Sequence, residues 1–256
     1  MESNSKLFNK DEVKRFYSQQ GEDIYVYLNY INIPNKDGIF IELGGFDGIT
    51  YSNTKFFEDE LNFKGVLIEP TQQYKKMVLN RPSCKNYNLA VSKTTGPVEI
   101  IGELATATLL DTAHQDFINI YHKESRKYSV DGKPFHDILK HSGISRIDLL
   151  SIDVEGGELT VLETMDFSIP TYVIVLESDG HNPEKDEQCR NILKKNGFIF
   201  DKHFCLNDVW YNPSYPFISS VFSGKKSKDF MRLADFGNFP YLEKHCIADV
   251  EKALRS

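Results

Sequence analysis

Short apolar runs recur along the chain, and each one ends on an acid. Ile39-Phe40-Ile41 meets Glu42, Val66-Leu67-Ile68 meets Glu69, Leu149-Leu150-Ser151-Ile152 meets Asp153, and Val173-Ile174-Val175-Leu176 meets Glu177. Runs this short, bounded by glycine, proline or acids, read as buried strands. Between them, apolar residues fall at helical spacing over 54–61, 72–79, 134–141, 159–164 and 186–196, the last closed by Gly197. Strands alternating with helices through short connections predict right-handed crossovers and a mostly parallel sheet with helices on both faces. A third strand is expected at 86–91, another outside the main repeat at 98–101, and a terminal hairpin from 198–203 and 209–211.

The flanks are less regular. Residues 1–10 read as a loose leader, and 11–30 as two helices joined at Gly21, with Asp23 near the second N-terminus. Residues 102–130 carry no clear period, and Ala105-Thr106-Ala107-Thr108 reads as a mobile loop. The last thirty or so residues suggest two helices, with 241–254 amphipathic. The expected division is a helical lead over 1–30, one α/β domain over 31–220 and a helical tail over 221–256.

A doubly wound sheet binds ligands beyond the carboxyl ends of its strands, where strand order reverses. The ends expected there are Glu42, Glu69, Asn88 to Ala90, Asp153 and Glu177, so four of five carry an acid. A purely structural sheet has no need of that.

Composition narrows the picture. The chain has 256 residues, 40% hydrophobic and 26% charged, enough for one large domain and short for two. A net charge of −7 with no basic block argues against a nucleic-acid partner. Cys84, Cys189, Cys205 and Cys246 are far apart and form no Cys-x-x-Cys pair, which suits reduced thiols rather than a zinc site or disulfide framework. The polar start has no signal-peptide core, and no run reaches the length of a membrane span. The expectation is a soluble cytoplasmic protein.

The richest stretch is Phe40-Ile41-Glu42-Leu43-Gly44-Gly45-Phe46-Asp47-Gly48-Ile49-Thr50-Tyr51-Ser52. Strand, glycine turn and a helix start at Ser52 would present backbone N–H groups to a ligand. The acid ahead of the glycines decides which ligand. A carboxylate there would repel a pyrophosphate, and it suits a cationic group such as the α-ammonium of a bound methionine moiety. Glu69, at the end of the second strand, can accept both hydroxyls of a ribose, a role it would share in dehydrogenases. Gln20-Gly21-Glu22-Asp23 precedes the sheet and is read either as folding over that cofactor or as a helix break.

In this light the chain resembles the FkbM family of S-adenosylmethionine-dependent methyltransferases. The resemblance rests on Ser18-Gln19-Gln20-Gly21-Glu22-Asp23, the glycine stretch, Gly65-Val66-Leu67-Ile68-Glu69-Pro70, Asn88-Leu89-Ala90-Val91-Ser92, the segment 147–158 and 174–177, in family order. It implies a Rossmann-like class I methyltransferase fold, a seven-stranded sheet with an antiparallel C-terminal hairpin. It implies O-methylation of a hydroxyl on a sugar, glycan or related small molecule. By position, Glu42, Gly44, Gly45 and Gly48 would line the methionine half of S-adenosylmethionine, Glu69 the ribose, and Asn88 and Ala90 the adenine side. Asp153 and Glu155 would fall at the acceptor side, Asp153 also bordering the cofactor. Phe46-Asp47 departs from the small polar and aliphatic pair of many members.

A hydroxyl needs its proton removed before it attacks a methyl group. Asp153 is the first candidate, as base or as metal ligand, with His181 and Glu155 as further catalytic candidates. Asp153 and Glu177, on neighbouring strand ends, could hold a divalent cation such as Mg2+. Glu158 reads as a cap of the next helix. The acceptor pocket is expected from 102–130 and 205–220, with Tyr121, Tyr128, Trp210, Tyr211 and Tyr215 as candidates to stack on a sugar ring. The alternatives are a catalytically silent cofactor-binding subunit and a nicotinamide-dependent oxidoreductase, the latter disfavoured by Glu42.

Overall fold

The computed structural model describes residues 15–224, 241–248, 250 and 252. Helix α1 (Glu22–Asn29) leads into strand β1 (Ile39–Leu43), followed by α2 (Lys55–Leu61), β2 (Lys64–Ile68), α3 (Tyr74–Asn80) and β3 (Lys85–Tyr87). A second small sheet comes next: β4 (Ala90–Val91), β5 (Gly96–Ile101), β6 (Thr108–Leu109) and β7 (Lys127–Lys133), with α4 (Gln115–Tyr121) inserted before β7. The main sheet resumes with α5 (Phe135–Ser142), β8 (Ile147–Ile152), α6 (Glu158–Glu163), β9 (Thr171–Glu177), α7 (Pro183–Lys195) and the hairpin β10 (Ile199–Phe204) and β11 (Asn207–Tyr211).

The main sheet has seven strands in the order β3-β2-β1-β8-β9-β11-β10. Neighbours from β3 to β9 pair in parallel, and β11 runs antiparallel to both β9 and β10. From β1 the chain winds outward to β3, then crosses back to place β8 on the other side of β1. Strand order therefore reverses between β1 and β8, and the crevice opens where Leu43 lies beside Ile152.

Alternation along the strands feeds two cores. Phe40, Leu149, Val173, Val175 and Val209 face one cluster, covered by α1 and α2. Ile41, Leu43, Leu150, Ile152, Ile174, Leu176 and Trp210 face the other, covered by α5, α6 and α7. This two-sided burial is why the runs are almost continuously apolar. The first cluster is rich in rings: Phe16 stacks on Phe56 at 4.4 Å, and Tyr172 on Tyr215 at 5.1 Å.

Several expectations need correction. The described part of the first expected helix, 15–21, is not helical. Asp23 gathers that segment instead, accepting from the N–H groups of Tyr17 at 2.7 Å, Ser18 at 3.2 Å and Ile24 at 2.8 Å. The expected strand at 86–91 is split between the two sheets. Asn88 sits at the break, its amide donating to the carbonyls of Glu69 at 2.8 Å and Pro70 at 3.1 Å. Residues 102–130, unreadable by period, hold β6, α4 and the first part of β7. In the tail, a 3-10 turn at Lys244–Cys246 leads into helical residues 247, 248, 250 and 252, and Val250 packs on Gly21, where a Cβ would approach it to 2.4 Å. The leader at 1–10 and the segment 225–240 lie outside the described residues. Among the described residues no helix is long and apolar enough to cross a membrane.

Candidate active site

The crevice at the strand ends is a cleft with two chambers. The first encloses about 1020 Å³ of space including its open mouth, and is lined by Glu42, Gly44, Gly45, Ser52, Glu69 and Ala90 among others. The second is lined by Gln20, Asp153, Glu155, Glu177, Asp179 and His181, with Phe117 and Tyr121 from α4 on its wall. Asp153 and Glu155 line both.

The glycine turn is shaped by its neighbours. Gly44 has φ +79, and a Cβ there would lie 1.7 Å from the Asp153 carbonyl oxygen, so the turn closes directly on the end of β8. At Gly48, with φ +83, a Cβ would meet Arg81 at 2.8 Å. These glycines are demanded by packing against the protein as well as by their left-handed backbone. Gly48 does not line either chamber, and neither does Asn88, which is spent on the loop carbonyls. Gln20 stands in the second chamber rather than over the glycine turn. Its Oε1 accepts from Leu206 N–H at 2.9 Å and from Asn207 Nδ2 at 3.3 Å.

Glu42 is buried and already engaged. Its Oε1 accepts from Asn53 N–H at 2.8 Å, and its Oε2 from the hydroxyls of Ser52 at 2.8 Å and Thr54 at 2.6 Å. The helix start thus folds around this carboxylate. One acceptor direction on Oε1 is left for a ligand, since each carboxylate oxygen takes about two donors. Glu69 holds its turn similarly, accepting from Phe46 N–H at 2.9 Å and Thr71 N–H at 2.7 Å. The Thr71 side chain bonds the same carboxylate, which leaves it about one further acceptor site. Asp47 explains the departure at Phe46-Asp47: its carboxylate accepts from the N–H groups of Ile49 at 2.9 Å and Thr50 at 2.7 Å, building a local turn.

Three residues other than glycine around the cleft adopt left-handed backbone: Phe46 (φ 46), Tyr51 (φ 64) and Glu155 (φ 54). Such conformations cost free energy and collect at functional sites. Glu158 accounts for the last of them. It begins α6, but its Oε1 reaches back to the N–H groups of Val154 at 3.1 Å and Gly156 at 3.0 Å, and its Oε2 pairs with Lys185 Nζ at 2.6 Å. It therefore curls the 154–157 loop, which is more than the expected cap.

The second chamber is electrostatically unusual. Carboxylate oxygens of Asp153, Glu155 and Glu177 lie within 4.8 Å of one another. Burial, then Glu158, raises the Asp153 carboxyl to about 7. Burial, then Asp153, raises Glu155 to about 9, and burial with the same neighbours pushes Glu177 well up. Like charges this close cannot all ionise, so the group stores a proton near neutral pH. His181 is tied to Asp179 through Nδ1, and its ring meets Phe117 edge-on at 5.6 Å.

These shifts have a sign for stability. A carboxyl whose folded value lies above its unfolded value of roughly 4 binds more protons when folded between the two, so stability falls as pH rises through that window. Glu22 at about 7, Asp23 at about 6, Asp153 at about 7 and Glu155 at about 9 all act this way. The ligand-free protein is expected to melt lower at about pH 8.5 than at about pH 5.5. Glu155→Gln should flatten the upper part of that slope, and a melting temperature that rises over this range would contradict the assignment.

Of the aromatic candidates, Tyr121 lines the second chamber. Trp210 and Tyr215 are core residues, the Tyr215 hydroxyl donating to Asp148 Oδ1 at 2.6 Å. Tyr128 and Tyr211 line neither chamber. Leu104, Ala105, Ala107, Thr108 and Leu109, expected on the acceptor side, wall the first chamber instead, and Thr108 of the expected mobile loop pairs in β6 and donates its hydroxyl to the Glu155 carbonyl. No helical or strand period marks them.

Residues 42–200 match the family model described as the methyltransferase FkbM domain. No curated protein matches the chain. Among solved structures, the chain is similar to the crystal structure of the SeMet-substituted CurJ carbon methyltransferase, at 10% identity and a TM-score of 0.33. The match covers 70% of this chain and 49% of that one, so it spans about half of that protein's length.

Proposed function

The chain belongs to the FkbM methyltransferase family, and from that premise we propose that it methylates a hydroxyl of a sugar, glycan or related small molecule. Family membership implies S-adenosylmethionine, which when bound supplies a methyl group on a sulfonium. The residues present fit it. The glycine turn and the free acceptor direction of Glu42 suit the methionine half, and the remaining acceptor capacity of Glu69 suits a ribose hydroxyl. Leu89, Val91 and Ile100 offer an apolar wall for the base.

The observation that carries the reading is the position of the proton-storing carboxylates. Asp153 borders the cofactor chamber and the acceptor chamber alike, so it stands where the two substrates would meet. Transfer breaks the carbon–sulfur bond and forms a carbon–oxygen bond, and the hydroxyl proton passes to a carboxylate oxygen of Asp153. A carboxyl near neutrality is well matched to that work. Much of the remaining acceleration would come from holding oxygen and methyl carbon in line. Asp179 with His181, and the face of Tyr121, would orient the acceptor.

The test is methyl transfer from labelled S-adenosylmethionine to a panel of sugars and glycans, followed by locating the label. Label on oxygen supports the proposal. Label on carbon or nitrogen refutes it, and cofactor binding without transfer to any acceptor points to a silent subunit. Asp153, Glu155 and Glu177 are also spaced to hold a divalent cation. Activity is expected to survive thorough chelation, and a loss restored by Mg2+ would replace the base with a metal. Tyr121→Ala is expected to raise the acceptor KM by up to about tenfold, the value of one aromatic contact, with cofactor KM unchanged.

A further inference from the structure

Arg81 follows α3 and carries no motif, yet its side chain is fully buried beneath the glycine turn. Its guanidinium pairs closely with Glu58 and lies 3.7 Å from Glu42 Oε2. It donates to the Gly48 carbonyl at 3.0 Å, to Ser52 Oγ at 3.2 Å and to Thr54 Oγ1 at 3.2 Å. Its flat face covers the Phe40 ring at 5.1 Å. These partners belong to β1, the glycine turn and the start of α2, the three pieces that must keep register for the turn to hold a ligand.

Burying an arginine between two acids is seldom the most stable filling for such a space, since desolvation offsets most of the attraction. What it adds is geometry. A planar fork with several fixed donors locks its partners in direction as well as distance. Here it lies on the Oε2 side of Glu42, together with the two hydroxyls, and leaves Oε1 with the Asn53 N–H as its one donor. It also anchors the carbonyl of Gly48, at the far end of the turn.

We propose that Arg81 is a positioning residue for the cofactor, acting through Glu42 and the glycine turn without touching the ligand. The inference rests on the reading of the first chamber as the S-adenosylmethionine site. Its signature is a split between the substrates. Arg81→Lys keeps the charge but cannot span the same partners. It is expected to raise the KM for S-adenosylmethionine and the Kd for S-adenosylhomocysteine by about tenfold to a hundredfold, while kcat at saturation and the acceptor KM stay within about twofold. Arg81→Met should lose more affinity than Arg81→Lys. Glu58→Gln, which changes a partner outside both chambers, should shift the Kd in the same direction by about threefold.

The measurement is calorimetric titration of S-adenosylhomocysteine into each protein, with melting curves to show that it is folded. A folded Arg81→Lys protein with wild-type affinity overturns the inference, and so does a fall in kcat with both KM values unchanged. Should Arg81→Lys fail to fold, Glu58→Gln decides, and wild-type affinity in that protein overturns it. Failure of the wild-type protein to bind S-adenosylhomocysteine is a separate result. It defeats the reading of the chamber and this inference with it.

Discussion

Asp153→Asn is expected to lower kcat by roughly 10²- to 10⁴-fold, the usual worth of a positioned base, with S-adenosylhomocysteine affinity nearly unchanged. The substitution keeps shape and hydrogen-bonding atoms but removes the group that takes the proton. Asp153 follows β8 directly, its backbone N–H bound to the Leu43 carbonyl at 3.2 Å and its own carbonyl packed on Gly44. The backbone that positions it is therefore independent of the side chain, and the variant should fold normally. The pH profile gives a second readout. Wild-type kcat should rise with pH through the region of about 7 where this carboxyl ionises, and the residual activity of Asp153→Asn should show no such step. Equal losses of turnover and cofactor affinity would move Asp153 from proton transfer to cofactor binding.

Lys185→Met is expected to cost about 3–5 kcal/mol of stability, the typical penalty for stranding a buried partner. The Lys185 ammonium lies 2.6 Å from Glu158 and 3.4 Å from Asp186, all three nearly inaccessible. Burial opposes its charge, but the facing carboxylates prevail and hold its pKa above the ordinary lysine value. Removing it leaves Glu158 among Asp153, Glu155 and Glu177 with no cation beside it. The fall should appear in denaturant unfolding and in a melting temperature lowered by roughly 10 °C for a chain of this size. Because Glu158 holds the N–H groups of Val154 and Gly156, activity should fall further than stability alone explains. The double variant Glu158→Gln with Lys185→Met should recover part of the stability, since Glu158 is no longer a stranded charge while Asp186 still lacks its cation. A single variant as stable as wild type would show that the pair contributes geometry only.

Much of this architecture can be read in the chain because its strands are buried on both faces. Leu149 to Ile152 and Val173 to Leu176 are apolar at every position but one, and the acids that close them mark the carboxyl edge of the sheet. Local turn chemistry is legible too, as at Gly197, where the chain leaves α7 with φ +83. What stays hidden depends on partners distant in sequence. The second sheet is built from pieces as short as Ala90–Val91 and Thr108–Leu109, which pair with β7 and β5 and carry no period of their own. The lead is shaped by the buried carboxylate of Asp23, which competes with a helix by offering backbone N–H groups another acceptor.

The same division runs through the site. Four strand-end acids stand out in the sequence, and the structure brings Glu42, Glu69 and Asp153 to one chamber and Asp153 and Glu177 to the next. Their uses inside the protein are not visible there. Spacing alone places Glu42 beside the glycines, but the three donors from residues 52–54 and the guanidinium of Arg81 appear only once the chain has folded. Glu158 similarly reads as a helix-starting acid until Lys185, 27 residues on, arrives across α7.

The most direct test is a crystal structure with S-adenosylhomocysteine. The account predicts the amino-acid half against Gly44 and Glu42, the ribose hydroxyls on Glu69, and the sulfur turned toward Asp153 with the second chamber open beyond it. Nucleoside bound over Glu155 and Glu177, or bound outside this cleft, would contradict it.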